Sequence, residues 1–374
     1  GSVWTILTDM RLANNHVFSS LCIRAVVAVF NDAPVWVRLP ALLAGIGIVL
    51  VVWCVARDLF RKHPAYAVLA AGFCGFHAGL IHYSQTARGY SIQVLFVLLF
   101  AWVIIRFERE TLPRPLAYGL LVLLPFMAHF TLPTSVMYIT PICALHLWWR
   151  TRRCGQTRLP ELLRANWPIL VAYGLAAILS IAWVGAHFGQ IVAACRRAGG
   201  NAGGSMTFSR FLLGVADHIG PWPMLLLSLV PLLSWQSRRW GLMYAVLLGF
   251  PFAVAALTTG AAPRAYLPLM PFISVAATYG VSQLIAWITE NRSAAFKAIA
   301  PLGAVVFLLS AKAAVMPGRL KAELPPDWPA IYRAAERVVP QTDLVVYPPE
   351  GAYPILYRHE RVVLHIVGNE GFAL

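Results

Sequence analysis

Long apolar runs, interrupted at intervals by short polar stretches, make up most of the chain. Ten of them reach or approach the ~20 apolar residues that a helix needs to cross a bilayer. They cover residues 36–57, 64–82, 88–107, 115–131, 133–149, 167–188, 219–235, 240–259, 266–288 and 298–316, and each is read as one span. Pro125, Pro141, Pro231, Pro251 and Pro271 fall inside these runs, as packed membrane helices tolerate. Ahead of the first run, residues 18–30 are apolar, too short to span, and carry Arg24, which reads as an interfacial helix. Residues 317–374 read as a soluble tail. There Asp327 caps a short helix with Trp328, Ile331, Ala335 and Val338 on one face, and two β-rich runs follow at 344–347 and 362–367. The expected fold class is an all-α polytopic membrane protein with a small α/β tail. Its parts are residues 1–35 as a loop with the interfacial helix, 36–316 as the transmembrane domain, and 317–374 as the tail.

The basic residues orient the spans. Alternate connections hold Arg57, Arg61 and Lys62, then Arg106, Arg109 and Arg114, then a group from Arg150 to Arg164, then Arg238 and Arg239, then Arg292 and Lys297. The intervening loops hold only Arg88, Arg196, Arg197, Arg210 and Arg264. By the positive-inside rule the richer set is cytoplasmic, which places both ends of this chain outside. An even number of spans agrees with that.

Composition narrows the class. Of the 374 residues, 59% are hydrophobic and 12% charged, against about 45–50% and about 25% in a soluble domain. So little charge cannot cover a water-soluble globule of this size, and so much apolar surface excludes disorder. The net charge of +15 would point a soluble protein toward nucleic acid. Here it is concentrated in the loops as a topology signal, and nucleic acid is not an expected partner. The six cysteines form no C-x-x-C pair or metal-ligand spacing, and Cys54, Cys74 and Cys143 serve as small hydrophobes inside apolar runs. No cofactor is assigned, and a divalent metal is left open. The Gly-rich stretch 199–204 lacks the lysine of a phosphate-binding loop and reads as a flexible outer connection.

Acidic residues are scarce. Asp58, Glu108, Glu110, Glu161 and Glu290 fall on the cytoplasmic side and read as solvated loop charges. Beyond the tail, the outer side keeps only Asp9, Asp32 and Asp217. Other polar residues gather at that side in four stretches: Asn14-Asn15-His16, the segment from His82 through Gln85 and Arg88 to Tyr90, His129, and Pro263-Arg264-Ala265-Tyr266. Polar groups converging on one membrane face mark a functional site. Plainer readings stand beside this one. His129 ends a helix and fits a satisfied interfacial histidine as well as a catalytic one. Tyr90 and Tyr266 fit an aromatic belt, and Asn14-Asn15 fits a turn. Arg88 is harder to explain away. It opens a span whose N-terminal dipole and unpaired N–H groups attract an anion, its guanidinium fork suits phosphate, and Gln85 lies about one turn away.

Asn14-Asn15-His16-Val17-Phe18 before an amphipathic helix, then Val37-Arg38-Leu39-Pro40-Ala41 opening a span, resembles the GT-C membrane glycosyltransferases. The nearest group is that of the dolichyl-phosphate-mannose protein mannosyltransferases and the aminoarabinose transferase of lipid A. Tyr83-Ser84-Gln85-Thr86-Ala87-Arg88-Gly89-Tyr90, Pro263-Arg264-Ala265-Tyr266-Leu267-Pro268 and Pro326-Asp327-Trp328 are each similar to segments of that group. The resemblance implies a multi-pass enzyme of the inner or plasma membrane that uses a polyprenyl-phosphate-linked sugar as donor. Its acceptor would be a lipid, a glycan or a protein, met at the outer face. Inverting transfer needs a carboxylate to deprotonate the acceptor and cations to hold the leaving phosphate. Arg88, Gln85, Tyr90, Arg264 and Tyr266 would face the donor phosphate, and Asn15 and His16 would line the catalytic loop. The group's acid pair follows its first span. This chain shows Asp9 in the corresponding loop without a neighbouring Glu, so the expectation is that the base lies upstream of Gly1 and that this chain by itself transfers no sugar. Two other classes compete. A transporter would place polar groups near the midplane on interrupted, repeated helices, and no internal repeat is visible. A non-catalytic membrane scaffold is the third.

Overall fold

The computed structural model describes residues 3–8, 16–61, 63–154, 159–190, 192–193, 222–233, 244–251, 253 and 263–291. Among these residues the secondary structure is helical and no strand occurs. The tail 317–374 with its two β-rich runs, the tenth run 298–316, and the residues Asp9, Asn15 and Asp217 lie outside the described residues.

Helix α1 (Val3–Thr8) and helix α2 (Val17–Val29) precede the bundle. The turn into α3 (Pro34–Leu59) is made by Asn31, whose Oδ1 accepts from the Ala33 N–H at 3.0 Å, and Pro34 opens the helix with its φ already set. Next come α4 (Pro64–Gly75), α5 (Ala78–Ser84), α6 (Tyr90–Glu108) and α7 (Arg114–Thr131). A 3-10 turn at Pro133–Ser135 leads into α8 (Val136–Cys154), and α9 (Leu159–Ala186) follows. Further along are a helix at Trp222–Ser228, a 3-10 segment at Pro263–Leu269 and a helix at Met270–Asn291.

Four helical segments are long and apolar enough to cross a bilayer: Pro34–Leu59, Tyr90–Glu108, Leu163–Ala186 and Tyr266–Ala286. A fifth crossing results if α4 and α5 are counted as one bent span. The run 64–82 is one span only in this bent form. It bends by 64° between Gly75 and Ala78. Phe76 closes α4, and the buried His77 caps α5 by accepting the Leu80 N–H on Nδ1 at 3.2 Å. Hydropathy does not register such a cap, because the flanking residues are as apolar as in an unbroken helix.

Helix α6 lies at the centre, packed against α3 on one side and α7 on another, and α7 in turn packs against α9. Close approach is obtained with small residues, as expected where lipid removes the hydrophobic drive between helices. A Cβ added at Gly45 of α3 would lie 2.5 Å from the Ser84 Cβ, and one at Gly280 would run into the Leu227 carbonyl oxygen. The outward surfaces are apolar. Along α9, Leu163, Trp167, Val171, Leu175 and Ile178 form a stripe of exposed large side chains at steps of three and four residues. A stripe of that length exceeds what a monomer leaves open to water and matches a lipid-facing surface.

Candidate functional site

Helix α6 has 19 residues and is about 28 Å long at ~1.5 Å per residue, close to the thickness of a bilayer's hydrocarbon core. Polar side chains collect around each of its ends.

At the Tyr90 end the chain makes a tight passage from α5 to α6 through residues 85–89. Thr86 Oγ1 donates to the Tyr83 carbonyl at 3.1 Å, and the Arg88 N–H donates to the Thr86 carbonyl at 2.8 Å. Gln85 is exposed at the end of α5, and Arg88 is half-buried just before the first turn of α6. Gly89 sits in a crowded place. A Cβ on it would meet His16 Cβ, His16 Nδ1 and Thr131 Cγ2, each at 3.0 Å. His16 is buried and stands edge-on to Tyr90 with ring centres 4.8 Å apart, and Tyr90 is 4.8 Å from Tyr83. Phe18, the second residue of α2, anchors the same arrangement against Phe96 and Phe130. Sequence positions 16, 83, 89–90 and 131 thus meet at one end of the bundle.

The other sequence-predicted residues divide. Tyr266 is fully buried in the 3-10 segment, which packs against α6. It belongs to the apolar core with Tyr83 and Tyr90 and does not line an open surface. Arg264 lies in the same segment, and its side chain is outside the described residues. His129 is not joined to His16 and Tyr90 by a described contact. Its Nδ1 pairs with the Pro125 carbonyl at 2.7 Å and with Ser180 Oγ at 3.3 Å, which places it on the seam between α7 and α9. Helix geometry explains the split. Residues two apart project about 200° apart around the axis, so Thr131 faces Gly89 while His129 faces α9. Gln93 was not visible as a site residue in sequence, although it stands one turn below Tyr90 inside an apolar run. It is fully buried, and its Nε2 donates to Thr134 Oγ1 at 3.1 Å and Ser135 Oγ at 2.9 Å, fastening the 3-10 turn between α7 and α8 to α6.

The Glu108 end corrects a sequence-based expectation. Asp58 and Glu108 are not solvated loop charges; both carboxylates are largely buried. Asp58 accepts from Trp102 Nε1 at 3.0 Å and lies 3.7 Å from both Arg106 and Arg109. Glu108 pairs with Arg150, with Arg153 at 3.6 Å and with His146 Nε2 at 2.8 Å; the other ring nitrogen of His146 meets the Tyr173 hydroxyl at 2.6 Å. Arg150 also donates to Asn166 Oδ1 at 2.7 Å. With so few acids, each one serves several cations. Arg109, in the turn after α6, has its guanidinium held below the ordinary value first by burial and then by the neighbouring Arg61, with Asp58 opposing. Glu110 and Glu161 remain exposed as expected.

No group of three or more possible metal ligands occurs among the described residues. Compared with known proteins, the chain matches no family model, no curated protein and no solved structure.

Proposed function

We propose that this chain is a GT-C-like membrane glycosyltransferase with ten spans, set in the inner or plasma membrane with its site on the outer face. It would move a sugar from a polyprenyl-phosphate-linked donor to a lipid, glycan or protein acceptor. The observation that carries the reading is the convergence of His16, Tyr83, Gly89, Tyr90 and Thr131 around the N-terminus of α6, with Arg88 immediately before that terminus. An N-terminus with its unpaired N–H groups, joined by a guanidinium, suits a departing phosphate. Asn15 directly precedes His16 in the sequence. Asp9 stands seven residues before His16 in the sequence. The arginine-rich opposite end fits a cytoplasmic face.

One observation favours transport instead. The bend between α4 and α5, with His77 buried at the break, is the kind of interrupted helix on which transporters build their sites. A single preparation separates the readings. The full-length protein in vesicles is given a panel of polyprenyl-phosphate hexoses and pentoses with a membrane lipid extract as acceptor. Transfer is expected as release of polyprenyl phosphate together with labelled acceptor. Movement of intact donor across the vesicle wall, with no release from any donor, refutes the transferase.

A further inference from the structure

Four arginines at the Glu108 end lie over a tryptophan one turn earlier in the same helix. Arg57 stands 4.6 Å from the Trp53 ring in α3 and Arg106 5.9 Å from Trp102 in α6. In α8, Arg152 and Arg153 stand 6.0 and 5.2 Å from Trp148 and Trp149. The i, i+4 spacing puts each pair on one helix face, with the arginine nearer the helix end. The Asp58 and Glu108 ion pairs tie the ends of α3, α6 and α8 together, so the stacks form one rim. Indole rings settle at headgroup level, and an arginine one turn beyond reaches the phosphate layer.

The two buried acids on this rim are already engaged, and the exposed Glu110 pairs with neither stack. Asp58 is shared by Arg106 and Arg109, and Glu108 by Arg150 and Arg153. Arg57 and Arg152 are exposed, and among the described residues neither has a carboxylate within ion-pair distance. We propose that this rim binds the headgroups of anionic phospholipids, with the Trp53–Arg57 and Trp148–Arg152 stacks as contact points. Each indole holds its guanidinium in one orientation by cation–π attraction, and the exposed fork takes two phosphate oxygens at once. A zwitterionic headgroup brings its own ammonium against this cationic surplus, whereas an anionic headgroup does not, and this difference gives selectivity. The inference rests on the bilayer placement and is independent of glycosyl transfer.

The test uses the full chain in nanodiscs of equal phosphatidylcholine and phosphatidylglycerol, then counts the lipids that remain bound after transfer to detergent by native mass spectrometry. Phosphatidylglycerol is expected to be enriched. Arg57→Gln with Arg152→Gln should cut that enrichment by about 25-fold, at about fivefold per arginine. Trp53→Leu with Trp148→Leu, which keeps both charges, should lose part of it, and inorganic phosphate at millimolar concentration should not displace the lipid. Equal retention of the two lipids overturns the proposal, as does wild-type enrichment in the arginine variant or displacement by phosphate alone. Because lipid retention is read without donor or acceptor, failure here is distinct from failure of the transferase.

Discussion

Arg88 stands directly before Gly89, the residue that closes the passage from α5 into α6. A Cβ at Gly89 would crowd His16 and Thr131, each at 3.0 Å, so the turn that leads from Arg88 into α6 lies close against both. If the α6 N-terminus holds a donor phosphate, Arg88→Ala weakens donor binding about ten- to a hundredfold, the range for loss of a charge-assisted hydrogen bond worth roughly 1.5–3 kcal/mol. Arg88→Lys recovers only part, since lysine keeps the charge without the fork. Donor affinity and thermal stability measured on the same two variants check this. Unchanged affinity with a large fall in stability would assign Arg88 to helix packing.

Among the helices, the junction of α6, α8 and α9 depends on one carboxylate. Glu108 is close to buried and bonds to His146, Arg150 and Arg153, while Glu110, two residues on, is exposed in a turn with φ of 56°. Removing one member of a buried ion pair strands the others and costs roughly 3–5 kcal/mol, whereas an exposed charge contributes within about 0.5 kcal/mol. Glu108→Ala is therefore expected to lower the unfolding temperature in detergent sharply, and Glu110→Ala to leave it nearly unchanged. Equal melting of the two variants would mean that the network adds no net stability. The α4–α5 break is the other feature at this scale. His77 satisfies the first turn of α5 from within an apolar run, so the bend is a capped helix start and not a frayed one.

For the whole chain the decisive question is which ends face which side. The structure gathers Arg106, Arg109, Arg150 and Arg153 about two carboxylates at one end of α6, in agreement with the alternation of basic loops along the sequence. Single cysteines at positions 155 and 203, introduced in a background freed of the native cysteines, test the resulting topology in intact cells. Position 203 is expected to react with an impermeant reagent and position 155 to remain protected. The reverse pattern would invert the assignment and move the His16–Tyr90 site to the cytoplasmic face.

Hydropathy alone located most described helices to within a few residues. The run 88–107 became Tyr90–Glu108, 115–131 became Arg114–Thr131, and 36–57 became Pro34–Leu59. Such limits are legible because a span's length is set by bilayer thickness and its ends by local proline, glycine and charge, all of which act along the chain. The gathering of His16 and Tyr90 was legible only as two polar stretches on one predicted side. Their contact joins residues far apart in sequence, which no local periodicity encodes. Asp58 and Glu108 show the same limit more sharply. Each sits at a helix end where a solvated charge is the ordinary outcome, and each is buried because partners from α6 and α8, more than thirty residues away, arrive to share it. His77 reads in sequence as one more residue of a span, and His129 as one more polar residue of a site. The first became a helix cap through a local bond, its Nδ1 accepting from the Leu80 N–H three residues on, which hydropathy does not register; only the packing of α9 against α7 made the second a seam contact, since the Ser180 hydroxyl it meets is brought near by the fold alone.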